Sequence, residues 1–308
     1  MVFLGRYISS LLLLFFCFGF MEAASRGGRR RDTLNGLQGQ LRALEEAQEE
    51  ARGELATLQR GVADLTKLVT ASLPEDCWAA RARGSRRRVV TAKPPGQPVK
   101  EVACDQEQEG GGWTLVLHRF PASANHSQRL DFNRTWQEYR EGFGDLQGEF
   151  WLGNEALHAL TSQAPQQLYV TLTDWTGKSA TGIWNHFKVA NEAASYQLSV
   201  GEYQTSRSTV GDSFARHHQH AFSTFDHDND IDADDHCARR HGGGWWYFRC
   251  YMSHLTGAAV KPGDGGHNAI IWRGWAQNTG LRSATMMIRP RPAPPLLLDT
   301  ASVCSTRP

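Results

Sequence analysis

Gly110-Gly-Gly-Trp113 and Gly242-Gly-Gly-Trp245-Trp246 are the stretches on which the fold turns. Three glycines before a tryptophan let the backbone take positive φ and approach a large ring closely. Each run taken alone is a packing statement. What surrounds them gives the texture of a domain. Short β-rich runs such as Trp113-Thr-Leu-Val-Leu-His118 and Gln167-Leu-Tyr-Val-Thr-Leu-Thr173 alternate with turns. Short helices are expected near 135–141 and 153–162. This mixture predicts an α+β domain with a mainly antiparallel sheet. Ten tryptophans supply an aromatic core, and Trp245 and Trp246 are expected inside it. The 308 residues leave room for one good-sized domain with extensions.

Upstream, the pattern is one of period 3.5. Over 34–73, Leu34, Leu41, Gln48, Leu55, Val62 and Val69 fall at a. Leu37, Leu44, Ala51, Leu58, Leu65 and Ser72 fall at d. A continuous apolar seam at this spacing seeks a partner, so the segment is expected to self-associate as a coiled coil. Gly36, Gly39, Gly53 and Gly61 weaken it by about 1 kcal/mol each relative to Ala. Pro74 ends the helix. Residues 74–100 read as a basic linker running into the globular domain, with Arg81, Arg83, Arg86, Arg87 and Arg88. A second basic cluster, Arg26, Arg29, Arg30 and Arg31, precedes the heptads. Both carry enough charge to hold heparan sulfate, though a solvated linker is the commoner meaning. Residues 291–308 form a Pro-rich tail, expected to be extended.

The amino terminus has the form of a secretion signal over 1–24. Arg6 gives the charged start, Leu11 to Phe20 the apolar run, and Glu22-Ala23-Ala24 the cleavage region. No later run approaches about 18 continuous apolar residues, so the mature chain is expected to lack a membrane span and to be extracellular. Cysteine usage agrees. Cys17 leaves with the signal, while Cys77, Cys104, Cys237, Cys250 and Cys304 remain. Four of them allow three connectivities, which spacing alone leaves open. The net charge of +1 gives no global attraction to nucleic acid.

Asp226-His-Asp-Asn-Asp-Ile-Asp-Ala-Asp-Asp235 is the sharpest chemical feature. Alternating carboxylates in a loop are hard oxygen donors suited to Ca²⁺. An EF-hand is disfavoured, because the loop lacks its central Gly and closing Glu. Beside it lie Tyr247, Arg249, Tyr251 and His254, read as exposed anchors for a partner. Asn125-His-Ser127 and Asn133-Arg-Thr135 are glycosylation sequons.

Enzymatic motifs are poor. Gly211-Asp-Ser213 lacks the glycine that an oxyanion turn requires, since Phe214 follows. Gly177-Lys-Ser179 lacks the first glycine of a phosphate loop. His217, His218 and His220 have no zincin helix around them. A catalyst is not expected.

Taken together, residues 77–290 resemble a fibrinogen C-terminal domain of the angiopoietin-like and fibrinogen-like kind. The matching stretches are Gly111-Gly-Trp-Thr114, Asp131-Phe-Asn-Arg-Thr-Trp-Gln-Glu-Tyr139, and Gly142-Phe-Gly-Asp-Leu-Gln-Gly-Glu-Phe-Trp-Leu-Gly-Asn-Glu155. Gly211-Asp-Ser213, Phe222-Ser-Thr224, Gly243-Gly-Trp-Trp246 and Met287-Ile-Arg-Pro290 complete them. The heptads preceding the domain match that family's architecture.

The resemblance implies the pairs Cys77–Cys104 and Cys237–Cys250, each contributing about 3 kcal/mol in the chain-entropy model. Cys304 lies beyond the domain. The resemblance also implies calcium, with Asp228 and Asp230 supplying side chains and Asp232 and Asp234 backbone carbonyls. The loop is one residue longer than the usual family spacing to Cys237. In sugar- and knob-binding relatives a cis peptide precedes the fourth cysteine and His usually follows it. This chain has Tyr251 there, and His254-Leu-Thr-Gly257 in place of an Asn-rich segment. These departures favour a protein receptor at a flatter surface. The expected function is a secreted oligomeric ligand of a cell-surface receptor. The alternative is a ficolin-like lectin for acetylated glycans.

Overall fold

The computed structural model describes residues 29–120, 129–261 and 268–291, without the side chains of 29–33. The expected signal, the cluster from Arg26 to Arg31, Asn125, Cys304 and the Pro-rich tail from 292 onward lie outside what is described at side-chain level. The chain divides into two compact units, at Ala71 and Ser72.

The first unit is built on one helix, α1 (Arg29–Ser72). It stops two residues before Pro74, as that residue's missing N–H dictates. Along it Leu44, Leu58, Val62, Leu65 and Val69 are all exposed. The seam is therefore apolar and open along its length.

The second unit is a nine-stranded sheet among the described residues. Its strands are β1 (Val89–Ala92), β2 (Lys100–Asp105), β3 (Trp113–Arg119), β4 (Phe143–Gly144), β5 (Phe150–Trp151), β6 (Gln166–Thr173), β7 (Ser179–Val189), β8 (Leu198–Tyr203) and β11 (Ser283–Pro290). The main order is β1-β2-β3-β11-β6-β7-β8, with every pairing antiparallel. The last strand thus lies in the centre. A small β9–β10 ladder (Ser253–His254, Ile271–Trp272) stands apart. Trp151, Trp184, Trp245, Trp246 and Trp272 fill one core. Trp113, Tyr169, Ile183 and Met287 form a smaller cluster.

The local signals explain the helices. Thr135 and Glu138 close a capping box at the start of α3 (Trp136–Glu141). A buried apolar stripe of Ala156, Leu157 and Leu160 seats α4 (Asn154–Gln163). Within 74–100, read as a basic linker running into the domain, lie α2 (Cys77–Ala82) and β1, whose Val90 and Ala92 are buried. Arg81 reaches the carbonyl of Gln106 at 2.8 Å. Only the turn 83–88 keeps exposed arginines, including Arg86, Arg87 and Arg88. Composition suggested a solvated linker; strand pairing and the Cys77–Cys104 bridge make it part of the domain.

Two polar devices hold the segment 243–257 in place. Arg119 is buried on β3 and pairs with Glu149 at 3.1 Å. It also donates to the carbonyls of Leu255 and Gly257, at 3.1 and 2.6 Å. Its guanidinium lies 3.9 Å above the Phe132 ring. Glu149 in turn accepts from Arg129 and from the Leu130 amide. The second device is His217, fully buried. Its Nδ1–H donates to Trp246 O at 2.7 Å, and Nε2 accepts from the amides of Met252 and Ser253. Two amides aimed at Nε2 require the neutral ring. Burial, the largest cause, lowers its pKa to about 4. The glycines complete the segment. Gly243 has φ +87°, and a Cβ there would stand 2.8 Å from Thr256 O.

Replacing Arg119 with Met should cost about 3–5 kcal/mol in urea unfolding, because Glu149 loses its fully buried partner and the carbonyls of Leu255 and Gly257 lose their donor. Arg119→Lys should recover only part of this, lacking a fork that reaches three acceptors. Loss of less than about 1 kcal/mol in both variants would refute the tether. His217 predicts a pH effect. Its folded pKa lies below the unfolded value of about 6.5, so its contribution is complete above that pH and falls as protons enter the unfolded chain. Stability should drop by about 2 kcal/mol between pH 7 and pH 5 from this group alone. A urea midpoint unchanged over that interval would contradict it.

Candidate functional site

The segment from His241 to Tyr251 places the site. α5 (Cys237–His241) follows the acidic loop, and the Cys237–Cys250 bridge closes the segment back upon it. The Arg249–Cys250 peptide is cis. Ser223 and Trp245 exchange backbone hydrogen bonds at 2.9 and 3.1 Å, and Ile231 N donates to Phe248 O. Asn229 adds a link from its amide to Ser223 Oγ and from its side chain to Phe222 O. The acidic loop is thus laced to the strand-like run that follows the glycines.

Between them opens a cavity of about 610 Å³. Arg216, Arg240, Arg249 and Arg273 border it, with Phe248, Tyr251 and Met252 as apolar wall and Asp232 as a carboxylate. Arg216 lies 5.5 Å from the Phe248 ring and Arg273 5.5 Å from the Tyr251 ring. Arg240 pairs with Asp235 at 2.5 Å, and Arg249 with Asp232 at 3.9 Å.

The expected partner anchors divide. Tyr247 and His254 are fully buried, which corrects their reading as surface groups. The Tyr247 hydroxyl is shared between Gly243 O and His254 Nε2, both at 2.9 Å. Burial pushes His254 well below the ordinary histidine pKa. These two residues brace the wall from behind. Tyr251 is nearly buried, edge-on to His241 at 4.8 Å, and forms wall. Arg249 is exposed. The neighbouring arginines 216, 240 and 273 escaped sequence reading because they come from distant stretches with no shared period.

In the acidic loop the structure gathers Asp228, Asp230 and His236, whose ligand atoms lie within 4.8 Å of one another. Asp230 accepts from Asp232 N at 2.8 Å and Cys237 N at 2.9 Å. Its carboxyl is raised, first by burial and further by the Asp228 charge. His236 Nδ1 stands 3.8 Å from Asp228 and is buried without a hydrogen bond among the described residues. Asp232 groups instead with the Cys237–Cys250 sulfurs, while Asp234 is exposed. Side chains of Asp228 and Asp230 fit a hard cation: two facing carboxylates, one half-buried, with charge that a cation would offset. His236 is the residue the sequence reading did not single out, since nitrogen is a poor calcium donor.

The residues of the discarded enzymatic motifs have structural work. Ser213 Oγ accepts from Gly274 N at 2.8 Å. His218 Nδ1 accepts from Val200 N, and His220 faces Phe248. Of the sequons, Asn133 is exposed, although its Oδ1 receives Gly243 N at 3.4 Å and Thr135 caps α3.

Comparison with known proteins follows the same lines. Residues 73–291 match the family described as fibrinogen beta and gamma chains, C-terminal globular domain. Angiopoietin-related protein 7 of Homo sapiens is 36% identical over 264 residues, covering 82% of this chain and 72% of that protein. The fibrinogen alpha chain of Mus musculus is 38% identical over 244 residues, covering 70% of this chain and 29% of its own. Among solved structures, the fibrinogen-like globe domain of human ANGPTL2 is similar with a TM-score of 0.64 and 33% identity, over 71% of this chain and all of that one. Lamprey fibrin D-dimer, complexed with the peptide Gly-His-Arg-Pro-amide, gives 0.62 and 26%, over 90% of this chain and 97% of that one. The chain belongs to the family of the fibrinogen C-terminal globular domain, as an angiopoietin-like member.

Proposed function

We propose that this protein is a secreted, oligomeric ligand of a cell-surface protein receptor. The head domain makes the contact and α1 assembles the copies. The observation that carries the reading is the open cavity between the acidic loop and the segment 248–252, with exposed Arg249 and the Tyr251 ring at its wall. Arginine and tyrosine are the side chains that dominate protein–protein recognition. A wall of Tyr251, where sugar-binding relatives usually carry His, favours a protein over a glycan.

Calcium fits this reading as a structural ion. Asp228 and Asp230 would hold it through their carboxylates, with loop carbonyls of Asp232 and Asp234 and water supplying the remaining oxygens. Bound there, it would offset charge beside Cys237 and stiffen the loop that borders the cavity. Asn125 and Asn133 are the proposed glycosylation sites, and the exposed arginines of 83–88 a surface for heparan sulfate.

The exposed leucines of α1 support self-association, since a seam of this length in water is costly when open. Assembly would strengthen weak head contacts by on the order of 10²–10⁴ through avidity.

The deciding experiment is a cell-surface receptor screen with the purified oligomer, with and without calcium. Saturable binding abolished by protease treatment of the cells is expected. Retention on acetylated resin with release by N-acetylglucosamine would instead establish the lectin alternative. Two further outcomes are expected. Calcium should raise the melting temperature, and the pair Asp228→Ala with Asp230→Ala should remove that increment; at a hundredfold excess over Kd the increment corresponds to about 2.7 kcal/mol. An undiminished increment in the double variant would place the ion elsewhere. Changing Leu41, Leu44, Leu55 and Leu58 to Ser should give monomers in sedimentation velocity. Oligomers of unchanged size would remove α1 from assembly.

A further inference from the structure

The cavity has a charge pattern that the receptor reading leaves unexplained. Among the described residues, four guanidiniums border it, against a single bordering carboxylate, Asp232. Two of the four are already engaged, Arg240 with Asp235 and Arg249 with Asp232. Arg216 and Arg273 make no ion pair among the described residues. Both are exposed, yet each is held over an aromatic ring, Phe248 and Tyr251 respectively. A guanidinium stacked on a ring keeps its N–H edge outward and loses little further freedom on binding an acid. The apolar wall between them is Phe248, Tyr251 and Met252.

We propose that this cavity receives an acidic peptide segment of the partner, with carboxylates on Arg216 and Arg273 and an apolar side chain against Phe248 and Tyr251. The proposal rests on the receptor reading and names the chemistry of the receptor's contact. Two observations select a peptide. The four arginines border a single cavity, and a sulfated polysaccharide repeats its charge along a line. The same cavity has an apolar wall of Phe248, Tyr251 and Met252, which an acidic peptide with a neighbouring hydrophobic residue matches and a sugar sulfate does not. A cationic peptide would meet like charge.

The test uses the full-length protein and four fluorescent probes in anisotropy titrations. They are a peptide rich in Glu with one Phe, its Gln counterpart, a Lys-rich peptide of the same length, and a heparin-derived oligosaccharide. The acidic peptide should bind at least about tenfold more tightly than the Gln peptide, the value of one charge-assisted hydrogen bond. Its affinity should fall with added salt. Arg216→Gln with Arg273→Gln should weaken it by at least the same factor. Both sites are exposed, and an unchanged melting temperature would show that the variant is folded. Lys at both positions should restore part of the affinity.

Equal binding of the Glu and Gln peptides overturns the proposal. So does wild-type affinity in the folded double variant, or an oligosaccharide that binds tighter than the acidic peptide and loses that affinity in the same variant. Cell binding separates the two readings. If the double variant binds cells as well as the wild type, the cavity inference fails and the receptor reading stands. If the acidic peptide binds the cavity while no cell-surface protein is engaged, the receptor reading fails and the cavity's chemistry stands.

Discussion

Arg119 sits where the sheet meets the chain leaving β9, and much of the head's geometry depends on how it is satisfied. A guanidinium taken out of water must find acceptors in every direction it points. Here Glu149 takes one edge and the carbonyls of Leu255 and Gly257 take another. Those carbonyls belong to a run without regular strand partners of its own. Tethering them orders the segment that doubles back at Thr256, whose hydroxyl donates to Gly244 O at 2.8 Å. The cavity wall at Phe248–Met252 is the tip of that doubled segment. A charge buried on a central strand thereby sets the position of a surface more than a hundred residues later in the chain.

His217 works on the same segment from the other side. Arg119 carries a charge that must be matched, and His217 must carry none. Both are polar groups whose demands are met mainly by backbone atoms of 246–257. Such demands have few geometric solutions, whereas apolar packing tolerates many. The irregular stretch gains a single conformation from them, although ladder hydrogen bonds are scarce there.

Much of this was legible in the sequence. β-rich runs bounded by turns located β3 and β6, and Pro74 located the end of α1, because each signal acts within a few residues. The glycine runs were legible for the same reason: Gly243 leaves no room for a Cβ against Thr256. Other features depended on tertiary assembly. Tyr247 and His254 looked like surface groups beside an acidic loop, but they hydrogen-bond to each other inside the core. Arg81 to Arg88 looked like a linker because charge density marks solvation and says nothing about pairing with β2. The cavity's arginines converge from three separate stretches, which no local pattern reveals. His236 joined the carboxylates through the turn of the loop, not through its type.

The turn 83–88 has a topological property beyond its charge. It lies between Cys77 and Cys104, which are joined across it. A trypsin-like enzyme cutting after any arginine of this turn would open the backbone without separating the pieces. The heptad helix would stay covalently attached to the head through the sulfur bridge until a reductant broke it. On a non-reducing gel the clipped molecule would run as one chain, and on a reducing gel as two. Separating the head from the heptad helix therefore requires two chemistries at this turn, hydrolysis and reduction, and clipping alone leaves the two joined.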